Sequence, residues 1–210
     1  MGISPVAGCD LGRCGFGWMG PARQAGGMIS MDSDMHSPLA RGFPPLARAD
    51  AHSLILGSMP GQVSLQQQRY YAHPRNAFWP IIRQLLEVSA DADYSRAGEV
   101  LLQHGFALWD VLASCHRPGS LDADIKPESV QANDFDAFLP AHPGIVRLLF
   151  NGATAQTLYR RHVLPQLPSR LQKLPQLRLP STSPAHAALT LQDKLRLWQQ
   201  ALMPELDGGQ

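Results

Sequence analysis

Four short apolar segments constrain this chain most: SLILG (53–57), FALWDVL (106–112), GIVRLLFNG (144–152) and QLRLPSTSP (176–184). Each is short for a helix and runs into a turn of Gly, Asp, Asn or Ser, the pattern of a buried strand. Helical patterns lie between them. NAFWPIIRQLLE (76–87) sets Phe78, Ile81, Ile82 and Leu85 at helical spacing, with Asn76 placed to cap and Pro80 in the first turn. Residues 95–103 form a second helical stretch closed by Gly105. DFDAFL (134–139), ATAQTLYRRHVLPQL (153–167) and HAALTLQDKLRLWQQALM (186–203) give three more. Strands alternating with helices at this spacing predict an α/β sandwich on a four-stranded, mainly parallel sheet. Ligands of such sheets bind beyond the carboxyl ends of the strands. The four ends here are Gly57-Ser58-Met59-Pro60-Gly61, Trp109-Asp110, Asn151-Gly152 and Ser181-Thr182-Ser183-Pro184, and they are predicted to converge on one site.

Residues 1–48 read differently. GCDLGRCGFGWMGPARQAGGM is Gly-rich without period, and SPLARGFPPLAR is broken by prolines, so 1–48 is expected to be a disordered N-terminal extension. Met28, Met31 and Met35 are further possible starts. Residues 49–210 are then the single domain. No apolar run approaches the roughly 20 residues of a membrane span, and the start does not read as a secretory signal. A cytoplasmic protein is the expectation. The three cysteines, Cys9, Cys14 and Cys115, form no C-x-x-C pair, and their odd number argues against a disulfide framework. The eight histidines are scattered, so no metal site is expected.

Charge is uneven along the chain although the net value is only +1. Residues 141–200 hold eight basic residues against one acid, Asp193, whereas 87–138 hold ten acids against Arg96, Arg117 and Lys126. A basic half can meet a phosphate backbone; two solvated faces explain the same numbers.

The strand-end loops carry the chemistry. Gly57 and Gly61 allow close approach of backbone to a ligand, although an ordinary turn has the same composition. QRYYAHPRNAFW (68–79) interleaves the flat faces of Tyr70, Tyr71, Phe78 and Trp79 with the donors of His73, Arg75 and Asn76, which suits a pocket for a planar heterocycle. Trp79 reads as helix core. LPSTSPAHA (179–187) offers Ser181, Thr182 and Ser183 to phosphate oxygens, with Pro184 opening the last helix and Ser183 also able to cap it.

Together, LGSMPG (56–61), YYAHPRNAFW (70–79), ALWDVLASCHRPGSLDADI (107–125), LLFNGATA (148–155) and LPSTSPAHA (179–187) resemble the uracil-DNA glycosylase superfamily, and within it the hypoxanthine-DNA (DNA-deoxyinosine) glycosylase branch. The resemblance implies a three-layer α/β/α fold and a monomer acting on DNA that contains deaminated bases, with no metal or cofactor. The implied reaction is hydrolysis of the N-glycosidic bond of a flipped base, leaving an abasic site. Many relatives hold the attacking water with Asn or Asp in the first loop; the match there is Met59, which cannot hold water, and the task passes to Asn76. Asp110 stands where relatives carry a base-reading Asn. As a carboxylate it accepts hydrogen bonds only, so Asn151 or a loop amide is needed to donate to the base carbonyl. Catalytic roles thus fall to Asn76 and Asp110, base contacts to Tyr71, Phe78, Asn151 and Met59, and DNA contacts to Ser58, Gly61, Ser181, Ser183 and His186. His186 is also the candidate to probe the space left by the flipped base. A uracil or mismatch-thymine glycosylase and a non-catalytic nucleic-acid-binding module on the same fold are the other readings.

Overall fold

The computed structural model describes residues 39–203. Four parallel strands form the central sheet: β2 (Ser53–Gly57), β3 (Phe106–Asp110), β6 (Arg147–Asn151) and β7 (Gln176–Leu179), in the order β3-β2-β6-β7. Every residue of β2 and β3 is buried, which is why these strands read as unbroken apolar runs rather than alternating ones. β7 lies at an edge and is mostly open, so its polar residues are tolerated.

Helices cover both faces. α2 (Phe78–Leu85), α3 (Tyr94–Gln103) and the last helix, α6 (Leu191–Leu202), form one layer, and Phe78 meets Trp198 edge to face at 5.7 Å across it. α4 (Phe135–Ala141) and α5 (Ala153–His162) form the other, where Trp109, Phe135, Phe150 and Tyr159 pack ring to ring at 5.0–5.4 Å. The three-layer α/β/α arrangement predicted from the sequence is the one observed. No described helix is long and apolar enough to cross a membrane.

A second sheet was not legible. β1 (Leu39–Arg41), β4 (Leu112–His116) and β5 (Gln131–Ala132) form an antiparallel sheet in the order β1-β4-β5, continuing the chain just beyond β3. Two of its strands are too short for a periodic signal. Residues 39–48, placed by the sequence in the N-terminal extension, are therefore part of the fold. Leu46 bridges Leu108 on the free edge of β3, the Phe43 carbonyl accepts from Trp109 Nε1 at 3.0 Å, and the Pro44 carbonyl accepts from the Tyr70 hydroxyl at 3.2 Å. The expectations for residues 1–38 lie outside the described residues.

Element ends also moved. The Gln-rich stretch forms α1 (Gln62–Gln67). The last helix starts at Leu191, not 186, because Thr190 and Asp193 make a reciprocal capping box there. Pro184 and Ser183 consequently sit in an open turn instead of starting or capping a helix.

Strand register assembles the site. Gly57 lies directly beside Asp110, Leu56 beside Phe150, and Asn151 beside Leu179. The carboxyl ends of all four parallel strands therefore finish level, and the loops that follow share one cavity.

Candidate active site

That cavity has a volume of about 690 Å³, within the range of roughly 300–1,000 Å³ typical of small-ligand pockets. Ser58, Met59, Gly61, Tyr71, Asn76, Asp110, Asn151, Ser181, Ser183 and His186 all line it. Ten of the eleven residues singled out from the sequence are thus brought together; Phe78 is not. A smaller cavity of about 310 Å³ lies away from the strand ends, against Phe135 and His162.

Asp110 ends β3 and is 3% exposed. Its backbone carbonyl accepts from Asn133 Nδ2 at 2.8 Å, but the carboxyl atom Oδ2 is buried with no hydrogen-bond partner. Burial, with the charge of Asp122 nearby, pushes this carboxyl up to about 8 against a weaker opposing pull from Arg117. Near neutral pH the group is therefore mostly protonated and can donate. The expectation of an acceptor-only carboxylate is corrected: it followed from the residue type, and the low-dielectric setting reverses it.

Gly57 is required where β2 meets Asp110. A Cβ there would collide with Asp110 Oδ1 and stand 2.9 Å from the Tyr71 hydroxyl, so both polar groups occupy the space a side chain would need. Tyr71 adopts a left-handed backbone, φ 53°, which turns its ring onto Phe78 in a stack at 4.1 Å. Phe78 is fully buried beneath it. The base-contact role expected for Phe78 is corrected to that of a support, because Tyr71 covers it on the cavity side. The Tyr71 hydroxyl makes no hydrogen bond of good geometry, because the Asn151 side chain beside it is spent on Thr182; burial, with Asp110 adding and Asn151 opposing, keeps it a phenol.

Asn76 precedes α2, and its Oδ1 accepts from the Phe78 amide at 2.9 Å; the N-cap position itself is Ala77. One lone pair orients the side chain, leaving its amide donors and a second lone pair for a ligand.

Two sequence expectations are altered by hydrogen bonding. The Asn151 side chain is engaged on Thr182, donating from Nδ2 to Oγ1 and accepting from the Thr182 amide, both at 2.8 Å. Thr182, 1% exposed, also receives the Ala77 amide on its carbonyl at 3.0 Å. Asn151 thus fastens the last loop to β6 and, through Thr182, to the Asn76 segment. Ser58 donates to Asp122, with 2.8 Å to either carboxylate oxygen. Its single proton is used on a carboxylate, so a phosphate contact there is displaced by a neighbouring negative charge.

Sequence reasoning missed Asp122 and Arg117. Arg117 is 3% exposed, donates to the Pro60 carbonyl and stands 3.6 Å from Asp122. Both lie inside the quoted 107–125 block; an acid and a base separated by four loop residues gave no periodic signal of facing each other. The basic 141–200 segment does not gather at the cavity. None of its eight basic residues lines the cavity: Arg147 begins β6 at the far end of the sheet, bonding Ser53 Oγ at 2.7 Å and the Ala201 carbonyl at 2.9 Å, and Lys194 comes only as near as the carbonyl of cavity-lining His186, to which it donates at 2.8 Å. Among the described residues no group of three or more His, Cys, Asp or Glu is placed to hold a metal ion.

The sequence profile of the uracil DNA glycosylase superfamily matches residues 44–205. The chain belongs to that superfamily. Its relatives include a hypoxanthine DNA glycosylase of Methanosarcina barkeri, 36% identical over 113 residues, a span covering 53% of this chain and 70% of the relative. A hypoxanthine DNA glycosylase of Methanosarcina acetivorans is 34% identical over 118 residues, covering 56% and 73%. A solution NMR structure from M. acetivorans, provisionally named a uracil DNA glycosylase, superposes with a TM-score of 0.65 at 29% identity, covering 79% of this chain and 97% of that one. The family match begins at 44, in agreement with the packing of Phe43–Leu46 against the sheet.

The described cavity combines the aromatic ring of Tyr71, polar groups at its buried end and hydroxyls on the last loop. Ser181 Oγ accepts from the Ser183 amide at 3.2 Å and Ser183 Oγ from the Ala185 amide at 3.3 Å, so both hydroxyls keep their protons for donation.

Proposed function

We propose that this protein is a DNA-deoxyinosine (hypoxanthine-DNA) glycosylase, hydrolysing the N-glycosidic bond of a flipped deaminated base and acting as a monomer in base excision repair. The observation that carries the reading is Asp110, a buried carboxyl near pKa 8 with a partnerless Oδ2 at the closed end of the cavity. Its setting is a turn whose central residue, Met59, can hold no water.

Hypoxanthine presents a ring N–H beside a carbonyl. A protonated Asp110 donates to that carbonyl and accepts from that N–H at once, so one side chain performs the reading that the sequence divided between Asp110 and Asn151. As the glycosidic bond breaks, negative charge grows on the base and positive charge on the sugar. A donor already aimed at the base carbonyl gains strength in that transition state, which lowers the barrier. The same site also receives uracil, whose edge carries the same pair of groups, and base preference then rests on the size admitted between Tyr71 and Met59. Tyr71, backed by Phe78, stacks on the extruded base. Asn76, oriented through the Phe78 amide, holds the water that attacks C1′. Ser181 and Ser183, with the Gly61 backbone and His186, contact the strand on either side.

Duplexes carrying a single inosine, uracil or G·T mismatch, treated with protein and then alkali, test this reading. Breaks at inosine that fall by about a hundredfold in Asn76→Ala are the expected result. Breaks at uracil alone would replace hypoxanthine by uracil as the substrate. No breaks on any duplex would leave a non-catalytic module.

A further inference from the structure

Extruding a base leaves a gap in the duplex, and proteins that unstack a base step commonly fill it with an apolar wedge. The loop expected to provide the wedge here carries Pro184, Ala185, His186, Ala187 and Ala188, with no large apolar side chain. Of the large hydrophobic residues exposed among those described (Leu39, Leu121, Val146, Leu177 and Leu191), only Leu121 lines the cavity. It is 52% exposed, on the loop that follows β4.

The loop bearing Leu121 is held from both sides. The Gln62 amide donates to Ser120 Oγ at 2.9 Å and Gln62 Nε2 to the Pro118 carbonyl at 3.2 Å. On the other flank Asp122 receives the Ser58 hydroxyl and lies beside buried Arg117. The Leu121 carbonyl itself accepts from the Asp124 amide at 3.1 Å, opening a short turn at 122–124. An apolar side chain exposed on a braced loop loses little conformational freedom on insertion, so most of its burial energy is realised. The loop bearing Leu121 is fastened to the chain after β2, through Ser58 and Gln62, whereas the 184–188 loop follows β7 at the far edge of the sheet.

We propose that Leu121 is the side chain this protein inserts into the DNA stack beside the extruded nucleotide, with the 184–188 loop holding the strand from the other side of the cavity. The proposal rests on the glycosylase reading above. It assigns the buried network Ser58–Asp122–Arg117 a purpose: bracing a wedge rather than contacting phosphate.

The test compares Leu121→Ala with the parent protein on inosine in duplex and in single-stranded DNA, under single-turnover conditions. The side chain is exposed, so the variant keeps its fold. Cleavage of the duplex should fall about fivefold to tenfold, the loss expected from half of a leucine's burial, while cleavage of the single strand stays unchanged. His186→Ala should lose less on the duplex. A second readout uses duplex DNA with fluorescent aminopurine next to the inosine: binding by the parent should raise its emission, and Leu121→Ala should not. Equal losses on both DNA forms, or no loss on either with unchanged emission, would overturn the proposal. A parent protein that cleaves neither form would overturn the glycosylase reading instead, and the emission comparison would still decide the wedge.

Discussion

At the amino ends of its parallel strands the sheet buries Ser53 and half-buries Arg147 and joins them: Ser53 Oγ accepts from Arg147 Nε at 2.7 Å and meets His52 Nδ1 at 2.8 Å, while Arg147 also holds the Ala201 carbonyl. At the carboxyl ends it buries Asp110, the Tyr71 hydroxyl and Arg117, and in each of them leaves at least one polar atom without a hydrogen bond. The same sheet, with the same backbone pairing, saturates one end and leaves the other short of partners. Buried polar groups are ordinarily satisfied because each failure costs about 1–3 kcal/mol. At Asp110 and Tyr71 the carboxyl end carries that cost where a ligand in the cavity can remove it; Arg83 Nε and the Tyr159 hydroxyl are orphaned away from the cavity, so it is orphaned groups and cavity together that mark the site.

Four substitutions press on this contrast. The largest effect is expected from Asn76→Ala at the open end: a loss of at least about a hundredfold in single-turnover cleavage of inosine DNA, with a melting temperature only slightly lowered by the lost Phe78 bond. Parent-like activity would remove Asn76 from the chemistry. Next comes Gly57→Ala, whose Cβ forces Asp110 and Tyr71 apart. It should lower cleavage by tens of fold, and calorimetry should show a destabilisation of about 1–3 kcal/mol. A soluble variant with full activity would show that the Asp110–Tyr71 arrangement is not needed.

Asp110→Asn sharpens the electrostatics. Parent activity should decline as pH rises through about 8, where the Asp110 proton leaves. The amide variant, which keeps a donor, should cleave about tenfold more slowly and lack that alkaline decline. Stability carries the matching sign. An unfolded Asp titrates near 4, so between about 4 and 8 the folded chain binds the extra proton and the carboxyl costs progressively more stability as pH rises. The variant should therefore gain on the parent above pH 8, and the difference should vanish below pH 4; melting curves across that range read it directly. The smallest functional effect belongs to the closed end. Ser53→Ala should cost about 1–2 kcal/mol by stranding Arg147 and His52, yet leave the cleavage rate unchanged. A rate loss there would mean that the two ends are coupled.

Much of this was legible in the residues. Short apolar runs within 53–57, 106–110 and 147–151 read as strands covered on both faces, and the turn residues that follow mark the loops. Placing those loops at one end of a parallel sheet, with the family resemblance to pick residues among them, named eleven residues, of which ten line the cavity. The failures share a cause. Phe78, Ser58 and Asn151 were read by what their side chains can do, and in the structure Tyr71, Asp122 and Thr182 reach them first. β1 and β5 were missed because two or three residues carry no period, and their pairing is chosen by β4.

The sequence by itself determined the alternation of elements, the parallel sheet and the loops after the strands, since these follow from local pattern and side-chain type; that Met59 stands where relatives hold water came from the resemblance. Only the tertiary structure decided that burial raises the Asp110 carboxyl far above an ordinary carboxylate, that Asn151 is a fastening and that Leu121 stands exposed on a braced loop. Protonation, hydrogen-bond competition and exposure depend on which distant groups arrive at the same place, and no local stretch of residues encodes that.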